Sequence, residues 1–100
     1  MAIRIRYHDE GVVGERLRAI VQRRADLIDE ILAGEPGAKE LFVDLHYDVR
    51  EDAIHAHLTL DVVTGSLRAD ASANDPAVAL TSALATLCRA ARDRTATDAA

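Results

Sequence analysis

The chain has 100 residues, a length typical of one domain around a single hydrophobic core. Its formal net charge is −5, and its only aromatic residues are Tyr7, Phe42 and Tyr47, which excludes a platform of aromatic side chains for stacking bases. One cysteine excludes an intramolecular disulfide, and no apolar run is long enough to cross a membrane. We therefore expect a cytoplasmic protein that does not contact membranes.

The first third of the chain predicts a strand followed by a helix. Ile3, Ile5 and Tyr7 alternate with polar residues, which is the period of a half-buried strand. From about Gly14 to Leu32, apolar residues recur every three or four positions. This spacing predicts an amphipathic helix of about five turns.

The middle of the chain predicts an antiparallel hairpin. Two long alternating runs cover residues 41–49 and 54–62, and a short polar loop at 50–53 separates them. The simplest pairing across this loop places Val49 opposite Ile54.

The last third predicts one more strand and a capped helix. Thr64-Gly65 marks a tight turn before a short strand at 67–72. Asp75 at the N-cap and Pro76 at the first helical position then define the start of an Ala- and Leu-rich helix. Cys88 lies on the apolar side of this helix, and we interpret it as a small buried residue.

The elements follow in the order β-α-β-β-β-α. Every strand alternates between apolar and polar residues, so one face of the sheet is expected to be buried and the other exposed to solvent. Each helix has one apolar stripe. These patterns predict an α+β fold: a two-layer sandwich with a four-stranded mixed sheet and both helices on one face. The first two strands are parallel if they are adjacent. We assign residues 1–94 to this single domain and expect 95–100 to form a frayed tail.

Several short motifs resemble a known family. They are Ile3-Arg4-Ile5 in the first strand, Glu15-Arg16-Leu17-Arg18-Ala19-Ile20-Val21 in the first helix, Thr59-Leu60-Asp61-Val62 in the third strand, the turn at Gly65, and Ala69-Asp70-Ala71-Ser72-Ala73-Asn74-Asp75. In order and spacing the chain is similar, over residues 2–92, to the ribosome hibernation-promoting factor family, also called the ribosome-associated inhibitor family. The resemblance implies a fold like that of the double-stranded-RNA-binding domain. It also implies a cytoplasmic, non-enzymatic protein that sits on the small ribosomal subunit and silences idle ribosomes.

On this resemblance, arginines are the candidate contacts to small-subunit ribosomal RNA. They are Arg16, Arg23, Arg24, Arg89 and Arg92 on the helices, with Arg68 on the last strand as a further candidate. Arg16 and Arg23 are seven residues apart and share one helix face, and guanidinium groups match phosphate oxygens well. The alternative is an ordinary solvated surface, on which Arg23 pairs with Asp26 and Arg89 with Asp93.

Histidines on the hairpin form a second candidate site. With Val49 opposite Ile54, Asp48 lies opposite His55 and His46 opposite His57, all on the wet face of the sheet. Imidazoles placed in this way can bind zinc or nickel. The alternative is a set of polar side chains on the exposed side of a sheet, and the pattern by itself assigns no cofactor.

A second function stays open, namely a protein-interaction or dimerisation module of the same fold. Phe42 points to the open sheet face, through which a homodimer would form, and the net charge is acidic. Pro76-Ala77-Val78 also stands where the family usually has a tyrosine. No phosphate-loop, nucleophile-elbow or zinc-protease motif occurs, so the sequence gives no reason to propose an enzyme.

Overall fold

The computed structural model describes residues 3–8 and 14–99, the side chains of 97–99 excepted. Its elements are β1 (Arg4–Tyr7), α1 (Glu15–Ile31), β2 (Glu40–Asp48), β3 (Ala53–Val62), β4 (Gly65–Ala73) and α2 (Pro76–Ala99). The predicted order and the predicted α+β class are confirmed.

The four strands form one mixed sheet in the order β1-β2-β3-β4. β1 pairs with β2 in parallel, as predicted for adjacent strands, and the other two pairings are antiparallel. Burial alternates along the strands, so that one face packs under the helices and the other is open. We call this second surface the open face.

The start of α2 is set by its cap, as the sequence predicts. Asp75 Oδ1 accepts hydrogen bonds from the backbone N–H groups of Ala77 at 2.7 Å and Val78 at 3.3 Å. Pro76 is the first helical residue. A backbone N–H at that position has no partner within the helix, so a proline there loses no hydrogen bond. In the described part of the chain, neither helix is apolar over a stretch long enough to cross a bilayer.

Helix α2 extends past residue 94. It runs to Ala99, and residue 100 lies outside the described residues. That the chain frays from residue 95 onward stays a prediction. Thr95 Oγ1 donates to the carbonyl of Ala91 at 3.0 Å and lies 3.4 Å from the carbonyl of Ile31. The contact with Ile31 links the last turns of α2 to the end of α1.

The two helices run parallel, side by side. Near their first turns, Leu17 of α1 and Pro76 of α2 line the same small cavity. Near their far ends, Thr95 of α2 reaches the carbonyl of Ile31. Both N-termini therefore lie at one end of the molecule.

The core lies between the helices and the covered face of the sheet. Its largest fully buried side chains are Ile28, Leu32, Leu41, Leu58, Leu60, Leu80, Leu84, Leu87, Val21 and Val43. Burying one Leu, Ile or Val side chain stabilises a fold by about 1.5–3 kcal/mol, so this layer supplies most of the driving force for folding. Cys88 is buried with them, which confirms its interpretation as a core residue.

The predicted register of the β2–β3 hairpin is wrong by two residues. The pairing of Val49 with Ile54 is not formed; instead Asp48 pairs with Ala53, and the loop covers residues 49–52. The loop has the predicted length but begins one residue earlier. Each predicted partner is therefore displaced by two positions, which keeps every side chain on its predicted face.

The early turn has a local cause. Asp48 Oδ1 accepts from the backbone N–H groups of Arg50 at 2.9 Å and Glu51 at 3.2 Å, so the chain turns directly after Asp48. Asp52 closes the loop at a φ of 51°, a left-handed conformation that Asp tolerates better than most residues.

The corrected register changes the neighbours of the histidines. His46 lies opposite His55, and His57 lies opposite Asp44. The predicted pairs of His46 with His57 and of Asp48 with His55 are thus replaced, although all these residues remain on the open face.

Candidate nucleic-acid interface

Two arginines of α1 lie on its outer side, and a third lies at its flank. Val21 and Ile28 are buried on the side of the sheet, and Arg16 and Arg23 are exposed. Arg24 comes three residues after Val21 and is half-buried at the edge of the buried side. Residues seven apart differ by only about 20° around a helix, so Arg16 and Arg23 project from nearly the same line. These side chains form a basic edge along α1.

Two arginines of α2 add to this surface. Arg89 and Arg92 are exposed, while Leu84, Leu87 and Ala91 of the same helix are fully buried. The two guanidinium groups therefore project away from the core, on the layer that also carries the α1 arginines.

A groove lies between the two helices beside these charges. Its volume is about 380 Å³, and its walls are formed by Ile20, Arg23, Arg24, Leu27 and Thr81. Two guanidinium groups thus stand over a partly apolar floor. Such a concave basic surface can hold a phosphate backbone, because Arg forks donate several hydrogen bonds to phosphate oxygens.

Five helix arginines are not neutralised by ion pairs within the described part of the chain. Among the described residues, none of Arg16, Arg23, Arg24, Arg89 and Arg92 makes an ion pair. The alternative pairing of Arg23 with Asp26 is not formed, since Asp26 Oδ1 accepts from Gln22 Nε2 at 2.9 Å. Their charges remain available to a ligand.

Two other helix arginines have internal roles. The guanidinium of Arg18 lies 4.7 Å from the centre of the Tyr7 ring, a cation–π contact between α1 and β1. Burial raises the pKa of Tyr7, and the charge of Arg18 opposes this rise. Arg94 Nε donates to Glu35 Oε1 at 2.6 Å and ties α2 to the loop after α1.

The structure separates Arg68 from the helix arginines. Arg68 lies on β4 directly opposite Thr59, at an exposed position of the open face. The helices pack on the other face of the same sheet. A nucleic acid bound to one face of the protein therefore cannot contact both Arg68 and the helix groove.

Sequence reasoning found the arginines but missed the groove. Ile20, Leu27 and Thr81 form its floor and wall only because the helices pack in parallel at this level. Sequence reasoning also missed that Arg94 points inward and bonds to Glu35. Its position three residues after the buried Ala91 is the signal that places it on the buried side of α2.

The predicted histidine site is assembled on the open face. The rings of His46, His55 and His57 lie together, and Asp48 Oδ2 is 3.9 Å from His55 Nε2. Glu51 joins this group, and its carboxylate atom lies within 4.8 Å of the ligand atoms of Asp48 and His55. Sequence reasoning missed Glu51 because the hairpin turn brings it back over β3.

Comparison with known proteins identifies the fold. No protein-family model matches the chain, and no curated protein matches it either. Among solved structures, the N-terminal domain of Protein Y from Thermus thermophilus superposes with a TM-score of 0.72 at 17% sequence identity, covering 94% of this chain and 99% of that domain. At this identity the likeness shows a common fold, which is the fold that the sequence resemblance implied.

A second solved structure is more distant. A ribosomal subunit interface protein from Coxiella burnetii gives a TM-score of 0.48 at 11% identity, with 99% of this chain and 98% of that chain covered.

Proposed function

We propose that this protein binds small-subunit ribosomal RNA through its helix layer and blocks the channel used by mRNA and tRNA, as a cytoplasmic hibernation-type factor. The observation that carries the proposal is a set of helix arginines that make no ion pair among the described residues: Arg16, Arg23, Arg24, Arg89 and Arg92. Arg23 and Arg24 line the groove between the helices, and Arg16, Arg89 and Arg92 are exposed elsewhere on the helix layer. The sequence resemblance described above, together with the shared fold, supports the choice of ribosomal RNA.

The charge distribution gives the proposed complex one orientation. The open face carries a row of carboxylates on its central strands, among them Asp44, Asp48 and Asp61. Because like charges repel, RNA approaches the helix layer rather than this face. Because the acidic and basic residues lie on different surfaces, a protein of net charge −5 can still bind a polyanion through its helix layer.

The proposed mechanism is occlusion rather than catalysis. Neutralising phosphates releases counterions from RNA, which supplies sequence-independent affinity. A rigid two-layer domain held in this way excludes other nucleic acids from the same channel. No residue of the groove needs to change its covalent state.

Sedimentation with purified small subunits tests the proposal. The protein is expected in the ribosomal pellet at low salt, and the bound fraction is expected to fall as salt rises because counterion release is weaker. Its absence from the pellet at low salt would contradict the proposal.

Single arginine variants test which surface is used. Arg23→Gln and Arg89→Gln are each expected to weaken binding and to lower the slope of log affinity against log salt by about one. Arg68→Gln is the matched control, since it removes the same charge from the opposite face and should leave both quantities unchanged. Equal losses in all three variants would show that net charge, rather than the helix surface, governs binding.

A second candidate function is self-association through the open face. Phe42 is 40% exposed there, and in the register of the sheet it lies beside Arg6 and Thr59, with Arg68 one strand further. A second copy stacked on this face would place these arginines against the acidic central strands. Sedimentation equilibrium then shows a dimer that Phe42→Ser dissociates, whereas a monomer at high concentration contradicts this function.

A further inference from the structure

Three histidines form a compact triangle on the open face, away from the helix groove. His55 and His57 are two residues apart on β3 and share a face, and His46 lies directly opposite His55 on β2. The ring centres are 5.2 Å apart for His46 and His55, 5.1 Å for His46 and His57, and 6.2 Å for His55 and His57. Three imidazoles from two neighbouring strands thus occupy one small area.

Carboxylates hold one nitrogen of two of these rings. His57 Nδ1 forms a short hydrogen bond with Asp70 Oδ1, contributed by β4. His55 Nε2 lies 3.0 Å from Glu51 Oε2, at the hairpin turn. A carboxylate that accepts from one ring nitrogen fixes the tautomer and leaves the other nitrogen as an acceptor.

The third ring, His46, also lies beside a carboxylate, but at a longer distance than the other two rings. His46 Nδ1 lies 3.9 Å from Asp44 Oδ2, two residues away on β2. Among the described residues, none donates a hydrogen bond to His46 Nε2, His55 Nδ1 or His57 Nε2. Each imidazole therefore has one nitrogen beside a carboxylate and a second nitrogen with an available lone pair.

We propose that His46, His55 and His57 bind a divalent transition metal, zinc in the first instance, through the nitrogens that their carboxylate partners leave free. Imidazole nitrogen is a preferred zinc ligand, and three protein ligands with one open position is a known zinc coordination. A metal-binding histidine almost always donates its other N–H to a carboxylate, carbonyl or water, as two of these rings do here. The site is independent of the proposed RNA surface.

The charge around the triangle favours a cation. Asp44, Asp48, Glu51 and Asp70 surround the three rings, and the only ion pairs that these carboxylates form among the described residues are with the histidines. A bound divalent ion would offset part of this negative charge.

Metal binding requires the rings to turn. The three planes are nearly parallel, with interplanar angles of 17°, 18° and 5°. Within the described part of the chain, the three histidines do not yet bring one ligand atom each to within 4.8 Å of one another. The side chains of His46 and His57 are 50% and 44% exposed, so solvent gives these two rings room to turn, whereas His55 is 24% exposed and the most enclosed of the three. Rotation about the Cβ–Cγ bond has a broad energy profile, so the rings can turn without a movement of the strands. The carboxylates of Glu51 and Asp70, 60% and 66% exposed, can turn with the rings and keep their hydrogen bonds.

Calorimetry with zinc as the probe and the tag-free full chain tests the site. One zinc is expected to bind per chain with a micromolar or lower Kd. His46→Ala, His55→Ala and His57→Ala are each expected to weaken binding by roughly tenfold or more, and Thr59→Ala, on the same face of β3, should bind as the parent does. Asp70→Asn should weaken binding about 10- to 100-fold, the range seen when the partner of a metal-bound histidine is lost.

Two results would overturn the proposal. The first is a Kd weaker than about millimolar for the parent protein. The second is binding that survives both His46→Ala and His57→Ala but is lost in Glu51→Gln, because that pattern places the metal at the hairpin turn instead. Circular dichroism confirms that each variant is folded, and a variant that does not fold is replaced by the corresponding Gln substitution, which keeps a polar side chain of similar size.

Discussion

Arg94 and Glu35 join the C-terminal ends of the two helices, with Arg94 Nε donating to Glu35 Oε1 over 2.6 Å. Both side chains are mostly buried, at 21% and 11% exposure, and Thr64 of the β3–β4 turn also bonds to Arg94. The contact ties the end of α2 to two loops far away in sequence. Arg94 therefore differs from Arg92, two residues earlier, whose guanidinium is exposed.

Removing this contact should destabilise the fold. Arg94→Gln leaves the Glu35 carboxylate largely buried without its charged partner, which we expect to lower the free energy of unfolding by about 1–3 kcal/mol. Urea denaturation measures the change. Arg92→Gln is the control and should stay within about 0.5 kcal/mol of the parent. Equal stability of the two variants would mean that the ion pair contributes nothing measurable.

Removing the N-cap of α2 should also lower the stability of the fold. Asp75→Ala removes the acceptor for the N–H groups of Ala77 and Val78 and is expected to cost about 1 kcal/mol. Asp75→Asn should be close to neutral, because Asn caps helices about as well as Asp. Thermal unfolding compares the variants, and an Asn variant as unstable as the Ala variant would contradict a capping role.

Gly37 should not tolerate a side chain. Its φ is 85°, and an added Cβ would overlap Val63 Cγ2, so Gly37→Ala combines backbone strain with a clash. We expect a loss of about 1–3 kcal/mol in the free energy of unfolding. Gly34→Ala is the control: nothing lies within 4 Å of its added Cβ, and its φ is not positive. It should be neutral or stabilising by up to about 1 kcal/mol.

Stability should fall at alkaline pH through Tyr7. Burial raises the pKa of Tyr7 above its ordinary 10.0, so the folded chain holds the phenol proton more tightly than the unfolded chain. The contribution to stability is complete below about pH 10 and is lost as the pH rises through the folded pKa.

Absorbance titration checks this pKa directly. The chain has two tyrosines, so in a Tyr47→Phe variant the phenolate signal comes from Tyr7 alone. A hydrogen bond to Asp52 also raises the pKa of Tyr47, which is why that residue must be removed. Tyr7 should ionise above pH 10 in the folded variant and close to about 10 in urea. A folded-state pKa at or below the urea value would contradict the burial of the ring.

The candidate sites show where prediction from sequence stops. The outward direction of Arg16 and Arg23 follows from helical periodicity, since the apolar stripe of α1 defines the opposite side. The groove that Arg23 shares with Thr81 does not follow, because no local pattern states that α1 and α2 run parallel. Likewise, nothing in the alternation of β4 shows that Asp70 lies opposite His57.

Local patterns in the sequence determined the kinds of element, their order, the cap at Asp75 and the face on which each strand residue lies. These depend on interactions within a few residues, namely backbone hydrogen bonds at a helix end and the two-residue period of a strand. The tertiary structure decided which residues lie opposite or in contact with one another. A shift of two residues preserves strand alternation, so only the turn made by Asp48 placed His46 opposite His55. Helical periodicity puts Arg94 on the buried side of α2 and Arg92 outside, but only the packing of the two layers gave Arg94 its partners Glu35 and Thr64.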